Sequence, residues 1–210
     1  MGSMCDSIDE MAIGWRREGQ AGLRDYQLHV QLSDIEPAIW RRLTVADSIP
    51  LPLLHRVLQV AFGWQDRHLH EFRVGTAAFG EPDSEFEPPL IDERGVRLNQ
   101  LLHKPGDHLR YKYDFGDDWD HEVVLEEMRA SQEAVSIARC LTGERAAPPE
   151  DSGGPNGYTD LVAALSDATH PEHADLRRWA ENYDPEGFDL DQINRQLSRL
   201  RKVRRPVSMP

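Results

Sequence analysis

Residues 111–121 read Tyr111-Lys-Tyr-Asp-Phe-Gly-Asp-Asp-Trp-Asp-His121, with a Gly-Asp-Asp turn between two aromatic-rich runs. A short turn of this composition between alternating apolar residues is typical of a β-hairpin. Every second residue from Tyr111 to Phe115 is aromatic, so these rings are expected on one face of a sheet. We therefore predict two paired strands, over Leu109–Phe115 and Trp119–Met128.

The N-terminal half supplies three more strands and one helix by the same reasoning. Apolar and polar residues alternate from Asp25 to Leu32, which predicts a half-buried strand. Ile39–Val45 is expected to pair with it as a hairpin. The apolar stripe of Ser48–Gly63 predicts a helix capped by Ser48 and stopped by Gly63. His68–Val74 is predicted to be a strand with His68 and His70 on one face.

The C-terminal third has a helical pattern. We expect three helices here. One covers Thr159–Asp167, one begins at Pro171 with Trp179 facing inward, and one is capped by Asp189. A long loop is predicted over Ala138–Tyr158, and a short helix over Leu98–His103. The fold class is therefore α+β: a mixed, mostly antiparallel sheet with hairpins, one N-terminal helix and a helical C-terminal third packed on the sheet.

The chain divides into one domain and two short ends. Residues 1–24 are expected to be a flexible leader that starts with a tag scar, Met1-Gly-Ser-Met4. Residues 25–203 form the single predicted domain, and residues 204–210 a flexible tail.

Charge and composition exclude several function classes. The net charge is −13, and because Arg195–Arg205 carries six basic and no acidic residues, the remainder carries −19. Such an acidic body argues against non-specific duplex DNA binding. No apolar run is long enough for a membrane span, and no secretory signal is visible. With only Cys5 and Cys140 there is no disulfide framework, so we expect a cytoplasmic protein.

Two motifs resemble known catalytic signatures and are rejected. Glu150–Pro155 is similar to the nucleophile loop of trypsin-like proteases, but the upstream histidine and aspartate segments and the disulfides are missing. Asp114-Phe-Gly116 is similar to the magnesium-binding triad of protein kinases, but the glycine-rich loop and the catalytic loop are missing.

The hairpin and the strand before it hold candidates for a catalytic or metal site. The catalytic candidates are carboxylates and one imidazole of the hairpin: Asp114, Asp117, Asp118 and His121. The metal candidates are His68, His70 and His121, since zinc, iron and manganese accept imidazole and carboxylate together. The alternative is that the acidic residues are solvated and the histidines bond to the backbone.

Binding candidates come from two further groups. One contains aromatic and cationic residues that can stack on or pair with a ligand: Arg41, Arg42, Trp64, Tyr113 and Trp119. The other is the loop after Cys140, where Glu150 and Asp151 could join a site beside flexible glycines. The alternatives are that the aromatic residues form the core and that the loop packs over the sheet.

Six motifs occur together in one order: Pro37–Arg42, Leu54–Gln59, Gly63–Phe72, Tyr113–His121, Cys140–Gly154 and Tyr183–Asp189. Together they resemble the plasmid pRiA4b ORF-3-like family over about residues 25–200. The resemblance implies an α+β fold found on plasmids, chromosomes and mobile elements, largely uncharacterised, with some members labelled insertion-sequence passengers of resolvase type. The chain departs from the family at Ala147 and Ser152, where cysteine is common.

Three functions stay open from the sequence. The first is a non-enzymatic binding or accessory module of plasmid or mobile-element origin. The second is a metal-dependent hydrolase, for instance a phosphodiesterase or nuclease, that uses the His/Asp cluster. The third is a nucleic-acid-binding accessory protein that uses Arg41, Arg42 and the basic tail. No cofactor is established, although the second hypothesis requires a divalent metal ion. The partner is unknown, with a protein and a specific nucleic acid as the two alternatives.

Overall fold

The computed structural model describes residues 24–82, 89–131 and 137–200, so the predicted leader (apart from Arg24) and the predicted tail lie outside the described residues. One eight-stranded sheet is combined with four α-helices. The strands are β1 (Arg24–Leu32), β2 (Trp40–Ala46), β3 (His70–Val74), β4 (Ala77–Gly80), β5 (Ile91–Asp92), β6 (His108–Tyr113), β7 (Trp119–Ala130) and β8 (Ala138–Glu144). The helices are α1 (Leu51–Phe62), α2 (Gly154–Ser166), α3 (His173–Trp179) and α4 (Leu190–Leu197). None of the helices in these ranges combines the length and apolar character needed to cross a membrane.

The sheet order is β5-β4-β3-β6-β7-β1-β2-β8. All neighbouring strands are antiparallel except β4 and β5, which are parallel. The predicted α+β class with a mixed, mostly antiparallel sheet is therefore confirmed.

The predicted central hairpin is confirmed as β6 and β7. Tyr111 lies opposite His121, and Tyr113 lies opposite Trp119. All four side chains are buried, because the same face of each strand turns toward the core. β6 ends at Tyr113 and not at Phe115, since Asp114 has a φ of 58° and turns the chain out of the strand.

The hairpin of β1 and β2 is also confirmed, and its periodicity shows which face of the sheet is covered. Alternate residues of β1, from Tyr26 to Leu32, are buried, while those between them are partly exposed. α1 contributes a buried stripe to the same core. The sheet is thus covered on one face, as is common for antiparallel sheets.

α1 begins at Leu51, three residues after the predicted start at Ser48. Pro50 occupies the N-cap position without a side-chain cap bond, and a proline lies in the first turn, where its missing N–H costs no helical hydrogen bond. The predicted stop is confirmed, because Gly63 ends the helix in the left-handed conformation with a φ of 81°.

The prediction of one long loop over Ala138–Tyr158 was wrong at its start, because Ala138–Glu144 forms the edge strand β8. β8 pairs with β2 on one side. On its other side, the outer edge of the sheet, a side chain hydrogen-bonds to the β8 backbone. Asn194 of α4 accepts from the Cys140 N–H (2.9 Å) and donates to the Cys140 carbonyl (2.9 Å). The amide thus replaces a neighbouring strand at this position and blocks edge pairing.

The three C-terminal helices are present, with shifted boundaries. α2 begins at Gly154, five residues before the predicted Thr159. The cap at Asp189 is confirmed, since its carboxylate accepts the Gln192 N–H at 2.8 Å. The inward orientation predicted for Trp179 was wrong: the residue is 49% exposed, because α3 lies at the periphery and buries none of its residues.

Candidate metal centre

The site is built where the ladder of β3 and β6 ends. The Asp114 N–H donates to the Leu69 carbonyl at 2.9 Å, one step beyond the last strand pair of His70 and Tyr113. This backbone bond fixes the segment before β3 against the hairpin turn. As a result His68 lies beside Asp114, although the two residues are distant in sequence.

The two oxygens of the Asp114 carboxylate have different partners, one in the hairpin turn and the other in the site. Its Oδ1 accepts the N–H groups of Gly116 (2.9 Å) and Asp117 (3.3 Å). Its Oδ2 faces His68 Nε2 at 3.5 Å. Since the side chain is only 10% exposed, one oxygen is held by the backbone and the other is directed at the imidazole.

The loop after β8 brings two more carboxylates to the same imidazole. Trp64 Nε1 donates to the Pro148 carbonyl (3.0 Å), and the Gln65 N–H donates to Glu150 Oε1 (2.8 Å). This clamp places Glu150 Oε2 at 3.7 Å and Asp151 Oδ1 at 3.3 Å from His68 Nε2.

Tyr113 fixes the orientation of Glu150. Its hydroxyl accepts the Arg67 N–H (3.0 Å) and donates to Glu150 Oε1 (3.1 Å). Burial, followed by the nearby Glu150 carboxylate, raises the pKa of Tyr113 well above its ordinary value. The phenol therefore stays neutral and remains a donor to Glu150 at physiological pH.

The loop reaches the hairpin turn only because glycine occupies position 154. A Cβ at Gly154 would lie 2.5 Å from the Asp117 carbonyl oxygen, and its φ of 69° is in the left-handed region. The Gly153 N–H also donates to Asp117 Oδ2 at 3.1 Å. This close approach keeps Asp151 over the site.

We therefore expect Gly154→Ala to lower the free energy of unfolding by about 2 kcal/mol, since it introduces both a backbone clash and an unfavourable φ. Urea denaturation followed by circular dichroism measures this change. Gly95→Ala is the control, because a Cβ there meets nothing within 4 Å, and its effect is expected to stay within about 0.5 kcal/mol. Equal losses for the two variants would contradict the close-approach argument.

The arrangement has the chemistry of a cation site. Nε2 of His68 is buried and makes no hydrogen bond in the described part of the chain, although the side chain as a whole is 29% exposed. The donor atoms of His68, Asp114 and Asp151 lie within 4.8 Å of one another. Ligands about 2.1 Å from a tetrahedral metal ion are about 3.4 Å apart, close to the 3.3 and 3.5 Å measured from Nε2 to the two aspartates.

A cleft of about 710 Å³ opens beside this group and includes His68 and Asp114 in its wall. Two further imidazoles line it, His55 and His70, whose rings are stacked with centroids 3.6 Å apart. Burial, followed by the neighbouring His70, lowers the pKa of His55 to about 4. His55 is therefore neutral at physiological pH.

The three histidines proposed as metal ligands do not come together. His70 bonds through Nε2 to Glu93 Oε2 at 3.0 Å, and His121 is fully buried with Nδ1 at 3.1 Å from the carbonyls of Tyr111 and Trp119. The reason is that His68 precedes β3, so the alternation expected for His68 and His70 does not extend to it. Of the three, only His68 is placed beside the carboxylates of the site.

The remaining hairpin candidates lie outside the donor group. Asp117 accepts from Gly153, and Asp118 forms an ion pair with Lys112 on the hairpin. His121, Trp119 and Trp64 are buried in the aromatic core, so a ligand could not contact Trp119 or His121 without displacing core side chains.

The two arginine candidates are engaged by the protein. Arg41 is buried and bonded to backbone carbonyls. Arg42 lies on the opposite face of β2 and forms a two-point ion pair with Glu126 of β7 at 2.7 and 2.8 Å. Both guanidinium groups are therefore engaged within the protein, and the basic residues beyond 200 lie outside the described residues.

The residues of the cleft that the sequence reasoning missed include His55, Arg56, Asp66 and Glu93. Of these, His55, Arg56 and Asp66 do lie inside two of the motifs, Leu54–Gln59 and Gly63–Phe72, which were the available signal. Glu93 had no such signal, because it lies in none of the six motifs.

Fold and site together define an α+β protein with a sheet covered on one face and a histidine–carboxylate group at the mouth of a cleft. Residues 24–192 match the family described as plasmid pRiA4b ORF-3-like protein. The chain belongs to this family.

Two relatives are similar over nearly their whole length. The uncharacterized protein y4hQ of Sinorhizobium fredii (strain NBRC 101917 / NGR234) is 38% identical over 187 residues, covering 85% of this chain and 96% of the relative. The crystal structure of MM3350, a protein of unknown function from Methanosarcina mazei Go1, superposes with a TM-score of 0.73 at 34% identity, covering 81% of this chain and 97% of that chain. These relatives are uncharacterised, and nothing in the comparisons shows enzymatic activity.

Proposed function

We propose that this chain is a binding module that holds a divalent transition-metal ion on His68, Asp114 and Asp151, with Glu150 next to them. The observation that carries the proposal is the buried Nε2 of His68, which has no hydrogen-bond partner among the described residues and faces three carboxylates at 3.3–3.7 Å. A buried polar atom without a partner is costly, and a cation between imidazole and carboxylates would remove that cost.

The donor set favours a transition metal over calcium or magnesium. Imidazole nitrogen combined with carboxylate oxygen suits zinc, manganese or iron, whereas calcium and magnesium prefer oxygen alone. The backbone bonds to Asp114 Oδ1 and the Tyr113 bond to Glu150 act as outer contacts that orient the carboxylates, as is common around metal centres.

Isothermal titration with Mn²⁺ and with Zn²⁺ tests the proposal. The wild-type chain is expected to bind one equivalent of at least one of these ions, and His68→Ala or Asp114→Asn to weaken binding by at least about 100-fold, because each removes one of few ligands. Asn tolerates the left-handed backbone of position 114 and still accepts from Gly116, so the turn is retained.

Asp118→Asn is the matched control, since Asp118 lies on the same turn with a φ of 62° but pairs with Lys112. It should bind the ion as the wild type does. The proposal fails if the wild type binds neither ion, or if the control loses as much affinity as Asp114→Asn.

We also infer a cytoplasmic location, as a plasmid-borne or mobile-element accessory protein would have. Support comes from Cys140, which is a buried free thiol, and from the sparse cysteine content of the chain. Burial raises the pKa of Cys140 to about 11, so the thiol is unreactive.

A further inference from the structure

The cleft beside the metal centre has the size of a small-molecule site. Its volume of about 710 Å³ falls inside the range of roughly 300–1,000 Å³ that ligand pockets occupy. Its wall contains His68 and Asp114 of the metal centre together with His55, His70 and Arg56.

His70 offers a hydrogen-bond acceptor to this cleft. Glu93 is almost fully buried, and its Oε2 lies 3.0 Å from His70 Nε2. A carboxylate only accepts hydrogen bonds, so Nε2 donates to Glu93 and Nδ1 is the ring nitrogen left for a ligand. Nδ1 has no hydrogen-bond partner among the residues that the structure describes.

The stacked ring of His55 cannot take this role. Gln59 Oε1 accepts the Asp66 N–H, so Gln59 Nε2 donates to the Tyr111 hydroxyl (3.1 Å). Tyr111 therefore donates its hydrogen to His55 Nδ1 (2.8 Å), and His55 Nε2–H donates to Asp66 (2.8 Å). Both nitrogens of His55 are occupied.

Arg56 supplies positive charge at the same cleft. It lies on the exposed face of α1, and in the described residues its guanidinium has neither an ion pair nor a hydrogen bond. The other arginine of the wall, Arg67, is held by Gln65 through a 2.6 Å bond. An unpaired guanidinium near a cation site favours a ligand with several anionic oxygens.

We propose that this cleft binds a small oxyanion that carries a hydroxyl group, of which inorganic phosphate is the simplest. One oxygen would bind the cation, a second would accept from Arg56, and the hydroxyl would donate to His70 Nδ1. The inference rests on the proposed metal centre. Sulfate is the discriminating probe, because at about pH 8 both ions are dianions but only hydrogen phosphate has a hydrogen to donate.

Isothermal titration of the full chain, loaded with Mn²⁺ or, if only zinc binds, with Zn²⁺, against inorganic phosphate and against sulfate tests the inference. Phosphate is expected to bind at least about 10-fold more tightly, since sulfate would leave the lone pair of His70 facing an oxygen. Arg56→Gln should weaken phosphate binding by about 10-fold or more. Arg139→Gln is the control, an exposed arginine on β8 at the far edge of the sheet, and should leave the affinity unchanged.

Glu93→Gln tests how the preference arises. The amide can donate to His70 Nε2, which moves the ring hydrogen to Nδ1 and removes the acceptor, so the preference for phosphate over sulfate should disappear. Glu71→Gln is its control, an equally buried carboxylate of β3 that pairs with Arg73.

The outcomes separate the two proposals. If the wild type binds neither Mn²⁺ nor Zn²⁺, the metal centre and the oxyanion site both fail. If the metal-loaded chain prefers sulfate, or shows no preference, only the oxyanion site is overturned. The same holds if Glu93→Gln keeps the full preference for phosphate.

Discussion

Replacing Arg41 with methionine is expected to lower the free energy of unfolding by about 4 kcal/mol. The buried guanidinium donates to the carbonyls of Trp40 (2.7 Å), Ala61, Glu144 and Arg145 (each 2.8 Å). Methionine keeps the apolar stem but leaves these acceptors without their donor, and an unsatisfied buried acceptor costs about 1–3 kcal/mol. The bonds join β2 to the end of α1 and to the end of β8.

Two rings enclose the same guanidinium. Its central carbon lies 5.0 Å from the centroid of Phe62 and 4.9 Å from that of Phe188. Burial lowers the pKa of Arg41 to about 10, so the group is still charged at neutral pH and the cation–π contacts persist.

Arg42→Met is the matched control for this prediction. Its ion pair with Glu126 is bidentate, but the side chains are 32% and 26% exposed, and pairs of this kind contribute about 1 kcal/mol or less. Urea unfolding of both variants at neutral pH gives the comparison. If the two neighbouring arginines prove equally important, Arg41 does not have the joining role described above.

The strands with regular alternation could be predicted because one residue in two is buried along them. Tyr111 and Tyr113 on β6, and Tyr26 to Leu32 on β1, follow this rule without interruption. β8 could not be predicted in this way. Position 143 requires glycine, since a Cβ there would lie 2.6 Å from the Trp40 carbonyl oxygen, and this glycine interrupts the alternation. The strand is instead defined by its pairing with β2 and by its bonds to Asn194, which are both distant in sequence.

The site was predicted in pieces. His68 was a metal candidate, Asp114 a catalytic candidate, and Glu150 and Asp151 binding candidates. The residue types indicated the chemistry. That these four side chains lie together depends on the Leu69–Asp114 backbone bond and on the close contact of Gly154 with Asp117. Neither contact leaves a local periodicity in the sequence.

Lowering the pH from about 7.5 to about 5 is expected to reduce the free energy of unfolding by roughly 4 kcal/mol, about half of it from each of two buried histidines. Burial, and then the positive charge of Arg41, lowers the pKa of His121 to about 4, against the raising effect of its bonds to two carbonyls. For His55 the pKa is also about 4: burial and His70 lower it, and Asp66 and Glu93 raise it.

The sign of this effect follows from which state binds the proton. An unfolded histidine has a pKa of about 6.5, so below that pH the unfolded chain takes up protons that the folded chain refuses. The stabilisation is therefore complete above about pH 6.5 and is lost as the pH falls toward 4. Asp47 and Asp120, whose pKa values are raised by burial, are protonated first in the folded state and offset part of the loss.

Urea unfolding of the wild type and of histidine variants at the two pH values isolates the contribution of the buried histidines to the pH dependence of stability. His121→Phe should remove about half of the pH dependence whatever its effect on stability at pH 7.5, because the quantity compared is the difference between the two pH values. His103→Gln is the control, since its ring is exposed in the folded state and should not change that difference. A His121→Phe chain that loses as much stability on acidification as the wild type would show that acid unfolding is governed by other groups, and the core imidazole would then have no part in it.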